Sequence, residues 1–119
     1  DFQGLRWMAA DMATALDAAR LLIHRAAEST GPRGFPEPAL AAKAKIFAAE
    51  QAIRVTNDAM QLMGAAGYSR RRPLERMVRD ARMFAIAGGT AQVLRNLVAH
   101  DLLDRRREDA AVVPLERSA

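Results

Sequence analysis

"PALAAKAKIFAAEQAIRVTNDAMQLMG", residues 38–64, decides the architecture of this chain. Leu40, Ala44, Phe47, Ala48, Ala52, Val55, Ala59 and Met63 recur at intervals of three and four, which places them on one face of a helix. Pro38 suits a first helical turn, because its missing N–H has no intrahelical partner there. Gly64 can end the helix by taking a conformation other residues avoid. An apolar stripe this long needs packing partners along its whole length, so the neighbouring segments should be helices too.

They have that pattern. Upstream, Leu5, Met8, Met12, Leu16, Ala19, Ile23 and Ala26 form a second helical stripe, which "STGPRGFPEP" at 29–38 ends through glycine and the pre-proline restriction. Downstream, Pro73 opens a shorter helix with Leu74, Met77, Val78, Ala81 and Phe84. After Gly88 and Gly89, Thr90 is an N-cap candidate for a fourth helix with Val93, Leu94, Leu97, Val98 and Leu102. The expected fold is all-α, a four-helix up-and-down bundle over residues 1–104. Residues 105–119 are expected as a basic helix end and tail. Arg105, Arg106 and Arg107 would complement the helix dipole, and Pro114 interrupts the residues beyond them. Trp7 and the methionines Met8, Met12, Met60, Met63, Met77 and Met83 are expected in the core.

Composition agrees and narrows the chemistry. The 119 residues fit one domain. Half are hydrophobic and few are aromatic, in keeping with an alanine- and leucine-rich helical protein. Without cysteine, disulfides, thiol catalysis and cysteine-held metals are excluded, and a reducing cytoplasm is the expected setting. No apolar run approaches the roughly 20 residues that span a bilayer. Asp1 and Arg6 interrupt any leader-like start. His24 and His100 lack ligand-spaced partners, so no metal is expected. The net charge of +4 comes from scattered bases among acids, which describes a solvated surface. Arg70, Arg71 and Arg72 have only Tyr68 near them, too little aromatic company for a nucleic-acid platform.

Two glycine turns remain, "QLMGAAGY" at 61–68 and "GGTAQ" at 88–92. At the second, the free N–H groups of the last helix would face the turn and attract an anion. The plainer reading is an αα-hairpin in which glycine supplies a positive φ. Spacing alone favours the hairpin.

The order of motifs adds more. Residues 2–103 resemble the C-terminal all-α domain of acyl-CoA dehydrogenases. The residues that carry the resemblance are Gln61, Gly64, Gly67 and Tyr68, then Pro73, Glu75 and Arg76, then Arg79, Asp80 and Ala81, and finally Gly89, Thr90 and Gln92. The resemblance implies the last portion of a flavoprotein of fatty-acid metabolism, inactive on its own. That enzyme would remove a proton from the acyl α-carbon of an acyl-CoA thioester while hydride leaves the β-carbon for FAD. It further implies that Gln61, Leu62, Met63, Gly64 and Ala65 contact the FAD of a neighbouring subunit in a dimer or tetramer. Thr90 and Gln92 would contact FAD near its phosphates and adenosine, and an electron-transfer acceptor would take the electrons.

Two positions depart from the family pattern. Ala65 stands where glycine is usual, which keeps the backbone amide but tightens close approach. Gly88 stands where most members carry the glutamate that acts as catalytic base, and glycine cannot accept a proton. The base could come from an earlier helix. The chain could instead be a non-catalytic scaffold or partner subunit of a dehydrogenase assembly. Or the flavin chemistry could differ. The first two are preferred equally on the sequence.

Overall fold

The computed structural model describes residues 2–112, with side chains as far as Arg107. The described residues form five helices: α1 (Gln3–Glu28), α2 (Pro38–Met63), α3 (Ala65–Tyr68), α4 (Leu74–Phe84) and α5 (Ala91–Val112). The four long helices are those the periodicity predicts, and the fold is an all-α helical bundle. The one-turn α3 is an addition. It forms because Gly64, at φ 55° and ψ −141°, turns the chain back at the end of α2, and the Gly67 and Tyr68 amides then bond the Gly64 carbonyl.

The caps are local chemistry. Pro38 begins α2 next to Glu37, whose carboxylate accepts the Ala39 amide at 3.2 Å. At the end of α1, the Ser29 hydroxyl donates to the Ala26 carbonyl at 2.6 Å and accepts the Glu37 amide at 2.9 Å. One serine thereby ties the connecting loop to both helices.

Helix α2 is the axis on which the rest is laid. Among the described residues, α1, α4 and α5 each pack against α2 and not against one another. Asp11 lies 3.8 Å from Arg54, while Ile23 and Ala26 share a groove with Ala41 and Ala44, so α1 runs against α2. Helix α5 does too, since Arg95 pairs with Glu50 and Arg105 with Glu37. Helix α4 follows the short α3 from the far end of α2 and brings Phe84 to Lys45. Thus α4 and α5 lie in succession along α2, both opposed to it. This refines the up-and-down order: the chain does not reverse between α4 and α5.

Among the described residues, the buried hydrophobic side chains are all alanines, including Ala15, Ala19 and Ala26 of α1 and Ala39, Ala42, Ala44 and Ala49 of α2. Small side chains let helix backbones approach closely but remove little apolar surface from water. The larger residues flank that seam. At about 100° per residue, Leu5, Leu16 and Ile23 stand roughly 90° around α1 from Ala15 and remain 40–49% exposed. Trp7 is 63% exposed, and Met63, Met77 and Met83 are exposed as well, which corrects their expected place in the core. The reason is geometric: alanines occupy the face toward α2, and no described element covers the flanks. The Cα radius of gyration, 20.0 Å, exceeds the 13–14 Å or so of a compact chain this long.

The last helix runs beyond Arg107 to Val112, further than the expected end. Ala110 and Ala111 favour helix, and the breaker, Pro114, comes only later. The remainder of the expected tail, residues 113–119, lies outside the described residues.

Candidate functional site

The first cluster is built by the end of α2. Gly64 accepts the reversal of the chain at positive φ. Gln61, Gly64 and Ala65, with Asn57, Met60 and Tyr68, line an open groove of about 410 Å³. Leu62 and Met63, expected beside them, do not line it. Gln61, Gly64, Ala65 and Tyr68 are exposed, so the groove presents an amide side chain, backbone and an aromatic ring to whatever lies against it. Gly67 is buried beneath. A β-carbon there would meet the Met63 Cβ at 2.8 Å and the Met60 carbonyl oxygen at 2.9 Å, so glycine is what lets α3 fold back on α2.

The second cluster is the corner between α4 and α5. Gly88 and Gly89 have φ of 69° and 96°, in the region that favours glycine. The positive φ expected of this turn is present, but α4 and α5 do not pack together, so the turn is a corner and not a hairpin. Thr90 caps α5 as expected: its Oγ1 accepts the Val93 amide at 3.3 Å and its carbonyl accepts the Leu94 amide at 3.0 Å. The amides of Ala91 and Gln92 have no partner among the described residues, as at any helix start. The Gln92 side chain is exposed. A hydroxyl, a primary amide and unpaired N–H groups at the positive end of a helix dipole are the kind of donors that attract an anion.

Gly88 itself is exposed, and a β-carbon built on it would have no heavy atom within 4 Å. Space for a larger side chain exists, but no proton acceptor occupies it.

One residue that sequence reasoning missed connects this corner to α2. The Lys45 ammonium donates to the Phe84 carbonyl at 2.5 Å and to the Gly89 carbonyl at 2.8 Å. Its signal was present in the sequence as a lysine between Ala41, Ala44, Ala48 and Ala52, where the helical stripe is otherwise apolar. Among the described residues, Lys45 is also the only charged one lining an apolar groove of about 560 Å³ between α1, α2 and Phe84.

The two clusters do not meet. Sixteen residues of α2 separate Lys45 from Gln61, about 24 Å of helix, and the groove beside Lys45 shares no residue with the groove beside Gln61. Within one copy of the chain, Gln61 and Thr90 therefore do not share a pocket. Elsewhere, His24 and His100 are exposed, and no group of three or more His, Asp or Glu among the described residues could hold a metal ion. No described helix is long and apolar enough to cross a membrane. Arg70, Arg71 and Arg72 are exposed.

Comparison with known proteins places this geometry in context. The family model for the C-terminal domain of acyl-CoA dehydrogenase matches residues 1–103. The 3-sulfinopropanoyl-CoA desulfinase of Variovorax paradoxus is 63% identical over 103 residues, covering 87% of this chain and 25% of the desulfinase. That of Cupriavidus necator is 59% identical over 106 residues, covering 89% and 26%. A short-chain specific acyl-CoA dehydrogenase of Clostridium acetobutylicum is 44% identical over 98 residues, covering 82% and 26%. Among solved structures, a chain from work on the electron transferring flavoprotein of Acidaminococcus fermentans superposes with a TM-score of 0.81. It is 44% identical, with 87% of this chain and 27% of that one covered. The chain thus spans about a quarter of the length of these relatives.

Proposed function

The chain belongs to the acyl-CoA dehydrogenase family, of which it carries the C-terminal domain, and from that premise we propose that it forms the helical wall of a flavin and acyl-CoA site in a longer polypeptide. The reaction we infer is removal of a sulfino group from a short acyl-CoA. The observation that carries this reading is Gly88: the position that resemblance assigns to the catalytic base has no side chain, in a chain about 60% identical to two desulfinases.

The chemistry fits. Dehydrogenation must remove an α-proton, and a positioned carboxylate does that work. Desulfination of 3-sulfinopropanoyl-CoA breaks the bond between Cβ and sulfur. With water supplying one oxygen to sulfur and one proton to carbon, the products are propanoyl-CoA and hydrogensulfite. No α-proton is lost and no electrons leave the substrate, so neither a base at position 88 nor an electron-transfer acceptor is required.

FAD is the cofactor of this proposal, and bound FAD would supply the ring against which the acyl chain is held. Thr90, Gln92 and the Ala91 and Gln92 amides would grip its phosphate and adenosine portion. Gln61, Gly64 and Ala65 would offer the groove at the other end of α2 to the FAD of a neighbouring subunit. The distance between the clusters supports a cofactor shared between subunits, since a single copy does not bring them together.

A second reading has its own support in the 44% identity to a short-chain acyl-CoA dehydrogenase. Here the protein dehydrogenates an acyl-CoA with a base from another part of the polypeptide. One experiment separates the two. The complete protein, loaded with FAD, is given 3-sulfinopropanoyl-CoA without an electron acceptor, and separately butanoyl-CoA with a reducible dye. Sulfite release in the first supports desulfination. Dye reduction in the second without sulfite release in the first overturns it.

A further inference from the structure

We propose that Lys45 is a positioning residue that holds the Gly88–Gln92 corner in the geometry used to grip a dinucleotide phosphate, an inference that rests on the FAD site proposed above. The corner needs such a device. Helices α4 and α5 do not pack on each other, and between them lie two glycines at positive φ, of which Gly88 faces open space and Gly89 lies against the Leu94 side chain of α5 itself. Among the described residues, Lys45 is the only α2 side chain that hydrogen-bonds residues 84–90.

The two acceptors differ in kind. Phe84 is the last residue of α4, and its carbonyl belongs to the negative end of that helix, where a cation is favoured. The Gly89 carbonyl immediately precedes Thr90, the cap of α5. A single ammonium thus links the end of one helix to the start of the next and ties both to α2. Five residues along α2, Glu50 pairs with Arg95 in the first turns of α5. That pair restrains the helix body and leaves the corner itself to Lys45.

The ammonium is engaged with carbonyls. Its aliphatic stem lies along the alanine-lined groove, an arrangement in which a long cation covers apolar surface while its head meets polar groups. Replacing Lys45 by methionine keeps an apolar stem of similar length and removes the ammonium, with its two hydrogen bonds and its charge at the end of α4, so the substitution should leave the helices folded.

The test compares the complete protein with its Lys45→Met and Lys45→Arg variants. Amide exchange is measured without FAD, and FAD affinity by flavin fluorescence. In Lys45→Met, exchange of the hydrogen-bonded amides that flank the corner, those of Ala85, Ile86, Ala87, Val93 and Leu94, is expected to accelerate at least about tenfold, with α1 unchanged as the folding control, and the FAD dissociation constant to rise about tenfold. Lys45→Arg, which keeps a cation with several donors, is expected to recover most of both. Unchanged exchange of those five amides in Lys45→Met overturns the proposal, as does faster exchange with unaltered FAD affinity. Failure of the unmodified protein to bind FAD has a different meaning: it overturns the cofactor reading, and with it the purpose assigned to the corner.

Discussion

Gly67 lies so close to Met60 that a β-carbon on it would stand 2.9 Å from the Met60 carbonyl oxygen. The obstacle is backbone in a helix and cannot swing aside as a side-chain tip could. Gly67→Ala should therefore push α3 away from α2 and cost about 1–3 kcal/mol, in the range of overpacking substitutions. Thermal or denaturant unfolding of the complete protein measures this. A stability within about 0.5 kcal/mol of the unmodified protein would show that α3 shifts freely.

Thr90→Ala removes the oxygen that accepts the Val93 amide. Loss of an N-cap of this kind costs about 1 kcal/mol, and Thr90→Ser should restore it, because the hydroxyl is what caps. Denaturant melts of the two variants check the stability, and flavin titration checks whether the same hydroxyl supports FAD. Equal stability for the alanine and serine variants would refute the capping role.

Gly88→Glu tests the missing base directly. There is room for the side chain, but the backbone at φ 69° is unfavourable for it by about 1–2 kcal/mol. A lowered melting temperature is expected. Acceptor-linked oxidation of butanoyl-CoA should also rise above the unmodified level, because the carboxylate would stand where resemblance places the family's base. A dye-reduction rate no higher than that of the unmodified protein would put the source of any base elsewhere.

The exposed flanks predict association. Phe2, Trp7, Leu21, Phe35 and Ile86 are each 61–78% exposed, and apolar side chains that join into a patch drive proteins together. The 119-residue chain expressed alone should self-associate in sedimentation at increasing concentration and show no acyl-CoA oxidation with added FAD and dye. A monomer at high concentration would mean that the flanks are too scattered to act as a patch.

The periodicity of 38–64, the proline at its start and the glycine at its end determined α2. The same local rules determined the other three long helices and the threonine cap. These features depend on residues a few positions apart, so the linear order of residues contains them. Resemblance carried by motif order pointed to the family and to Gly88 as its departure. Which face of each helix is buried was decided only in three dimensions. A stripe with both alanine and leucine leaves open which of them meets α2, and the close approach of the backbones selected the alanines. That choice left Trp7 and several methionines outside. The separation of the Gln61 and Thr90 clusters along α2, the same sense of α4 and α5, and the clamp made by Lys45 are likewise relations between distant segments. A hydrogen bond spanning 44 positions has no local signature, because it exists only once the packing of α4 and α5 on α2 has brought its carbonyl to the lysine.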